Sequence, residues 1–173
     1  MTGGRLLFAA VVAAIFASAP AGAQQQASKP AQIDRNDVLI LTKSALLALD
    51  QANKTGNYSV LRDLAAPGFA AVNNPARLAE IFAGLRHDKA DLSGVIVLDP
   101  QLTVMPEITD KGMLHFAGFF PSAPTQIKFE LLFAPVDGQW RLFGVSANLA
   151  ASTPAAPRPP EPAAAKKPPA AKP

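Results

Sequence analysis

Two histidines, one tyrosine and a few carboxylates are the side chains of this sequence suited to moving a proton near neutral pH. His115 alternates with Met113, Ala117 and Phe119, so on a strand it shares their face. Two placements fit it. It is either the one titrating group turned toward a ligand, or a cross-strand partner of Glu130 on the outer side of a sheet. His87 lies in Arg86-His87-Asp88-Lys89, a charged stretch that reads as solvated surface. Tyr58 follows Gly56-Asn57; its ring either packs inward with the hydroxyl at a pocket mouth or sits in the core with a solvated tip. Neither histidine has an Asp/Glu cluster at ligand spacing and the chain contains no cysteine, so no zinc site is expected. No serine stands in Gly-x-Ser-x-Gly, and no glycine-rich phosphate loop is present. The expectation is a protein without a cofactor and, on balance, without catalysis.

The elements that would position these groups change period midway along the chain. Asp34 or Asn36 caps a first helix, Asp37 favours its first turn, and Val38, Leu41, Ala45, Leu49 and Ala52 form its apolar stripe. Asn53 and Gly56 end it. A short second helix fits Tyr58–Ala65, with Pro67-Gly68 as its stop. A third begins with Asn74 as cap and Pro75 at the first helical position, and carries Leu78, Ile81, Phe82 and Leu85 on one face. Strands are predicted at Val95–Leu98, Leu102–Met105 (closed by Pro106), Met113–Phe120, Ile127–Ala134 and Trp140–Asn148. Asp110-Lys111-Gly112 reads as a turn and Asp137-Gly138 as a hairpin. Ile127, Phe129, Leu131 and Phe133 share a face, with Lys128 and Glu130 on the other, so Glu130 points away from any pocket on the apolar side. Helices first and an antiparallel sheet afterwards define an α+β layout.

Both ends of the chain differ from this middle. Arg5, an apolar run from Leu6 to Phe16 and Ala21-Gly22-Ala23 make the three regions of a secretory signal, with cleavage between Ala23 and Gln24. An earlier match at Ala17-Ser18-Ala19 would put Pro20 after the scissile bond and is disfavoured. The apolar run of eleven residues is short of the about 20 that a bilayer span requires, so the chain is not expected to span a membrane. Residues 24–33 read as a flexible lead, 34–149 as the domain, and 150–173 as a disordered Pro/Ala/Lys-rich tail. From Gln24 to Thr153 there are 11 Lys+Arg against 12 Asp+Glu, a net of −1, whereas Pro154–Pro173 has 4 against 1, a net of +3. A neutral domain lacks the basic face of a nucleic-acid binder. The tail's cations suit weak, salt-sensitive contact with anionic envelope components. The expected location is periplasmic or secreted.

Tyr58-Ser-Val-Leu-Arg-Asp-Leu, Leu78-Ala-Glu-Ile-Phe-Ala and Gly138-Gln-Trp-Arg-Leu occupy the second helix, the third helix and the last strand of this layout. In that arrangement the chain resembles the NTF2-like superfamily, over roughly Asp34–Leu149, and is similar to small exported proteobacterial proteins of that architecture. The resemblance implies a cystatin-like cone in which three N-terminal helices pack on a curved antiparallel sheet around an apolar pocket, with an outer sheet face that often forms a dimer. Its isomerases pair a carboxylate base with a tyrosine and a protonated carboxyl group. On that basis Tyr58, Phe82, His115 and Phe129 are the ligand-pocket candidates. The chain is also rich in large rings, Phe69, Phe82, Phe116, Phe119, Phe120, Phe129, Phe133, Trp140 and Phe143, and adjacent Phe119-Phe120 put an aromatic on both sheet faces. The expected function is binding of a small apolar ligand in the pocket or of a protein partner on the outer sheet face, including a second copy as a homodimer. A cofactor-free isomerase or dehydratase and a structural accessory subunit are the alternatives.

Overall fold

A computed structural model describes residues 28–152. The expected signal peptide, the start of the expected lead and the chain beyond Ser152 lie outside the described residues. Helix α1, Arg35–Thr55, starts where Asp34 adopts an extended backbone and its side chain accepts from Asp37 N–H at 2.9 Å. It stops where Gly56 takes the left-handed conformation (φ 72°) and its N–H returns to Ala52 C=O. Between these caps Val38, Thr42, Ala45, Leu46, Leu49, Ala52 and Asn53 form the buried face. Thr42 is tolerated there because its hydroxyl donates to the Val38 carbonyl one turn back.

Four short helices follow: α2 (Ser59–Leu64), α3 (Pro67–Val72), α4 (Pro75–Ile81) and α5 (Ala83–His87). Three expectations are corrected here. Pro67-Gly68 does not only stop α2. Pro67 occupies the first turn of α3, where a missing N–H costs nothing, and Ala66 N–H bonds to Leu142 C=O of the sheet. The third expected helix is divided at Phe82 into α4 and α5, so the helical layer has five pieces instead of three. Val95–Leu98, expected as a strand, lies in and just after a 3-10 turn at Ser93–Ile96. Leu92 and Val95, three apart, are buried while Ile96 and Val97 are exposed, so this apolar run is sorted by a helical spacing and not by alternation.

The sheet is a curved, five-stranded antiparallel meander in the order β1-β2-β3-β4-β5, comprising Lys29–Pro30, Gln101–Ile108, Leu114–Phe120, Thr125–Val136 and Gln139–Ala151. Within the stretch read as a lead, Lys29 and Pro30 pair with Ile108 and Glu107. Strand β2 continues through Pro106 because it is bulged on both sides of Val104 and Pro106 borders only this two-residue edge strand. Asp137 and Gly138, both at positive φ, close the β4–β5 hairpin in the geometry that matches strand twist. A further bulge lets Phe133 pair with Leu142 while Leu132 pairs with Gly144. The extra residue, Phe143, lies against Gly68 of α3, where even a Cβ would be 2.9 Å from its ring.

Leu114, Phe116 and Phe120 from β3 and Ile127, Phe129, Leu131 and Phe133 from β4 turn toward the helices and are buried with Leu46, Leu49, Leu61, Leu78 and Leu92. Phe116 stacks on Phe133 at 5.7 Å and Phe120 tilts against Phe129 at 5.5 Å. Each such side chain contributes on the order of 2–3 kcal/mol by leaving water. The α+β class and the inward face of β4 are as expected.

Candidate binding site

The four pocket candidates do not converge. Tyr58 is fully buried, stacked at 6.1 Å on Phe82. Its hydroxyl accepts from the Arg86 guanidinium at 2.9 Å and donates to Asn53 Oδ1, and Arg86 also lies over its ring at 5.6 Å. A phenol so engaged is a structural hinge between α1 and α5, and offers no free proton to a carbonyl oxygen. Phe129 is committed to the core against Phe120. His115 is on the outer sheet face, between Glu107 of β2 (Nδ1 to Oε1 3.2 Å) and Glu130 of β4 (Nε2 to Oε1 2.9 Å). Strand alternation dictates this placement, since Leu114 and Phe116 take the inner face. Of its two sequence readings the cross-strand partnership with Glu130 is the one formed, with Glu107 as a second carboxylate.

Burial opposes protonation of His115, but hydrogen bonds to Glu130 and Glu107 outweigh it and its pKa is raised above 6.5. With a carboxylate on each ring nitrogen, the doubly protonated ring satisfies both as a donor. Glu107 is held below its ordinary value by the Ser28 hydroxyl and by His115.

Of the four, Phe82 lines an open cleft. Its cleft, about 430 Å³, runs between α4–α5 and the free edge of β5, with Leu85, Val145, Ala147 and Leu149 around it. Among the described residues, Asp88 is the one ionisable group in its lining, and these residues bring no acid–base pair to the cleft.

A larger and more apolar groove, about 580 Å³, opens at the other end of the sheet. Ile33 forms one wall, Val38 and Leu39 of α1 the floor, and Leu102 and Met105 of β2 the far wall. The β2 bulges turn its side chains out of strict alternation, and β1 holds the lead against the groove through Ala31 N–H to Pro106 C=O. Among the described residues, Arg35 is the only charged one in the lining. It is largely exposed and in a loose pair with Asp99 at 3.4 Å. Sequence reasoning missed this groove because it divided the lead from the domain between Ile33 and Asp34. The one available signal is that Ile33 is a large apolar residue at the end of a stretch that has no other.

Comparison with protein-family models, with curated proteins and with solved structures finds no match for this chain. Fold and geometry therefore supply the class, an α+β domain with a five-stranded antiparallel sheet, and the site is judged on its own chemistry.

Proposed function

We propose that this chain is an exported, non-catalytic binding domain of NTF2-like shape that takes a small amphipathic acid in the groove between β1, α1 and β2. The observation that carries this reading is the lining. Apolar walls around a volume within the usual range of small-molecule sites carry, among the described residues, a single cation, the largely exposed Arg35. Apolar walls favour a hydrocarbon body, and the guanidinium, paired only loosely with exposed Asp99, favours a carboxylate head. Export rests on the leader at residues 1–23, and the cationic tail would add weak contact with anionic envelope polymers. Dimerisation through the outer sheet face is the less favoured assembly. It would have to dehydrate Glu107, His115, Lys128 and Glu130 together, at a cost that Phe119 and Leu132 offset poorly.

Thermal unfolding with decanoate tests the reading, with decanol as the uncharged control. At a concentration one hundred times Kd, decanoate would add about 2.7 kcal/mol and raise Tm by about 5 °C or more, with decanol weaker. Met105 is exposed, so Met105→Glu leaves the fold intact while placing a carboxylate in the groove, and the stabilisation should disappear. An equal rise in wild type and Met105→Glu would remove the groove from consideration.

A further inference from the structure

A separate recess of about 330 Å³ lies where the C-terminal turns of α1 and α5 meet the loop before the 3-10 turn. Its polar lining is Asn53, Lys54, Arg86, Lys89 and Asp91. Asn53 is the informative residue. It falls on the buried face of α1, about nine-tenths removed from solvent, and its amide nitrogen has no hydrogen-bond partner. The Arg86 guanidinium can only donate, so the Tyr58 hydroxyl accepts from it and donates its own O–H to Asn53. That assigns the amide oxygen to the Tyr58 side and leaves Nδ2 as the orphan. A buried donor without an acceptor costs about 1–3 kcal/mol, which a ligand oxygen would relieve.

The walls are held in advance. Lys54 bridges Asp50 at 2.9 Å and Asp91 at 2.8 Å. Asp50 in turn accepts from Leu92 N–H at 3.0 Å, tying the loop to α1. Asp50, Lys54 and Asp91 together leave one net negative charge, already engaged in this clamp. Arg86 and Lys89 add two positive charges, and among the described residues neither forms an ion pair. Lys89 also sits at φ 50°, the left-handed position after α5 where glycine is the easy choice. The unused donors of the recess are thus Asn53 Nδ2, the remaining Arg86 N–H groups and the Lys89 ammonium, against one unused acceptor, the Asp91 oxygen that faces neither Lys54 nor Ser93.

We propose that this recess is a binding site for a small oxyanion-bearing molecule, a carboxylate or a phosphate, held by Asn53, Arg86 and Lys89. It is distinct from the apolar groove and does not depend on the ligand assigned there. The volume, roughly that of ten water molecules, suits a compact anion and not a lipid.

The test is a ¹H–¹⁵N NMR titration of the purified protein with inorganic phosphate and, separately, with succinate, against sodium chloride at matched ionic strength of about 0.1 M. Saturable shifts of the Asn53 side-chain amide and of the Lys89–Asp91 backbone amides are expected with at least one of the two. The responding anion tells phosphate from carboxylate. Exposed Lys89→Gln should weaken binding about tenfold without altering the fold, and Asn53→Asp, which replaces the donor with a carboxylate, should abolish it. If Asn53→Asp does not fold, Lys89→Gln alone decides. No saturable shift beyond that of chloride with either anion, or wild-type affinity in Lys89→Gln, would overturn the proposal.

Discussion

His115 joins three strands through two carboxylates, and its protonation is therefore linked to folding. Because its folded pKa is raised above the unfolded value, its contribution is fully present below about pH 6.5. That contribution is lost as pH rises through the higher folded value. The group is only part-buried, so water screens the pair and the effect is modest. His115→Gln should lower Tm by about 2 °C at pH 5.5. It should leave Tm unchanged at pH 9, as read by a thermal-melt series across pH. An equal loss at both pH values would mean that the ring contributes by packing and not by charge. The cross-strand link between His115 and Glu130 was one of the two placements that alternation left open, whereas Glu107 was not foreseen, because two bulges in β2 set its register. Tyr58 shows the complementary limit. The sequence placed its ring inward, but its hydroxyl partners, five and 28 positions away, become neighbours only once α1, α2 and α5 pack together.

Among the elements, α1, β4 and the β4–β5 hairpin were readable because each carries a local signal that tertiary structure does not override. These signals are the Asp34 cap and Gly56 stop, the alternation from Ile127 to Phe133, and Asp137-Gly138. What failed were short apolar runs. The segment Val95–Leu98 is as apolar as a strand, yet its neighbour Leu92 is anchored by Asp50 in α1, which winds the chain into a 3-10 turn. Pro67 can end one helix or begin the next, and only the bond from Ala66 N–H to Leu142 C=O decides between them. The pairing of β2 with β3 has a similar hidden requirement at Gly118. A side chain there would run into Gln101 C=O and come within 3.0 Å of the Phe129 ring. Neither neighbour can retreat easily, since one is strand backbone and the other is core. Gly118→Ala should therefore destabilise the domain by about 1–3 kcal/mol. The shift would appear in the urea midpoint at an unchanged m-value. A neutral result would mean that β2 is free to move away from β3 at its bulge.

For the whole molecule, charge separates what folding does from what association does. The described residues 28–152 contain 11 Lys+Arg and 12 Asp+Glu, a net of −1, while the entire chain is at +3 with a pI near 9.4. The excess lies in Arg158, Lys166, Lys167 and Lys172, opposed by Glu161, and in Arg5. A domain near neutrality has no long-range attraction for anionic polymers, and its strongest cationic feature, the Arg86 and Lys89 recess, is confined to one small site. Any general affinity for anionic surfaces must then come from residues 154–173. Attraction between charges in water is attenuated beyond about 10 Å at 0.1 M salt, so the affinity should fall steeply with ionic strength. Deleting residues 154–173 should abolish binding to phosphatidylglycerol vesicles at low salt, measured by cosedimentation. The intact chain should bind at low salt and be released at about 0.3 M salt. The deletion leaves both the groove and the recess with all their lining residues. Vesicle binding that survives the deletion would instead locate the contact on the folded domain, with the exposed apolar rim of the groove around Met105 as the surface to examine next.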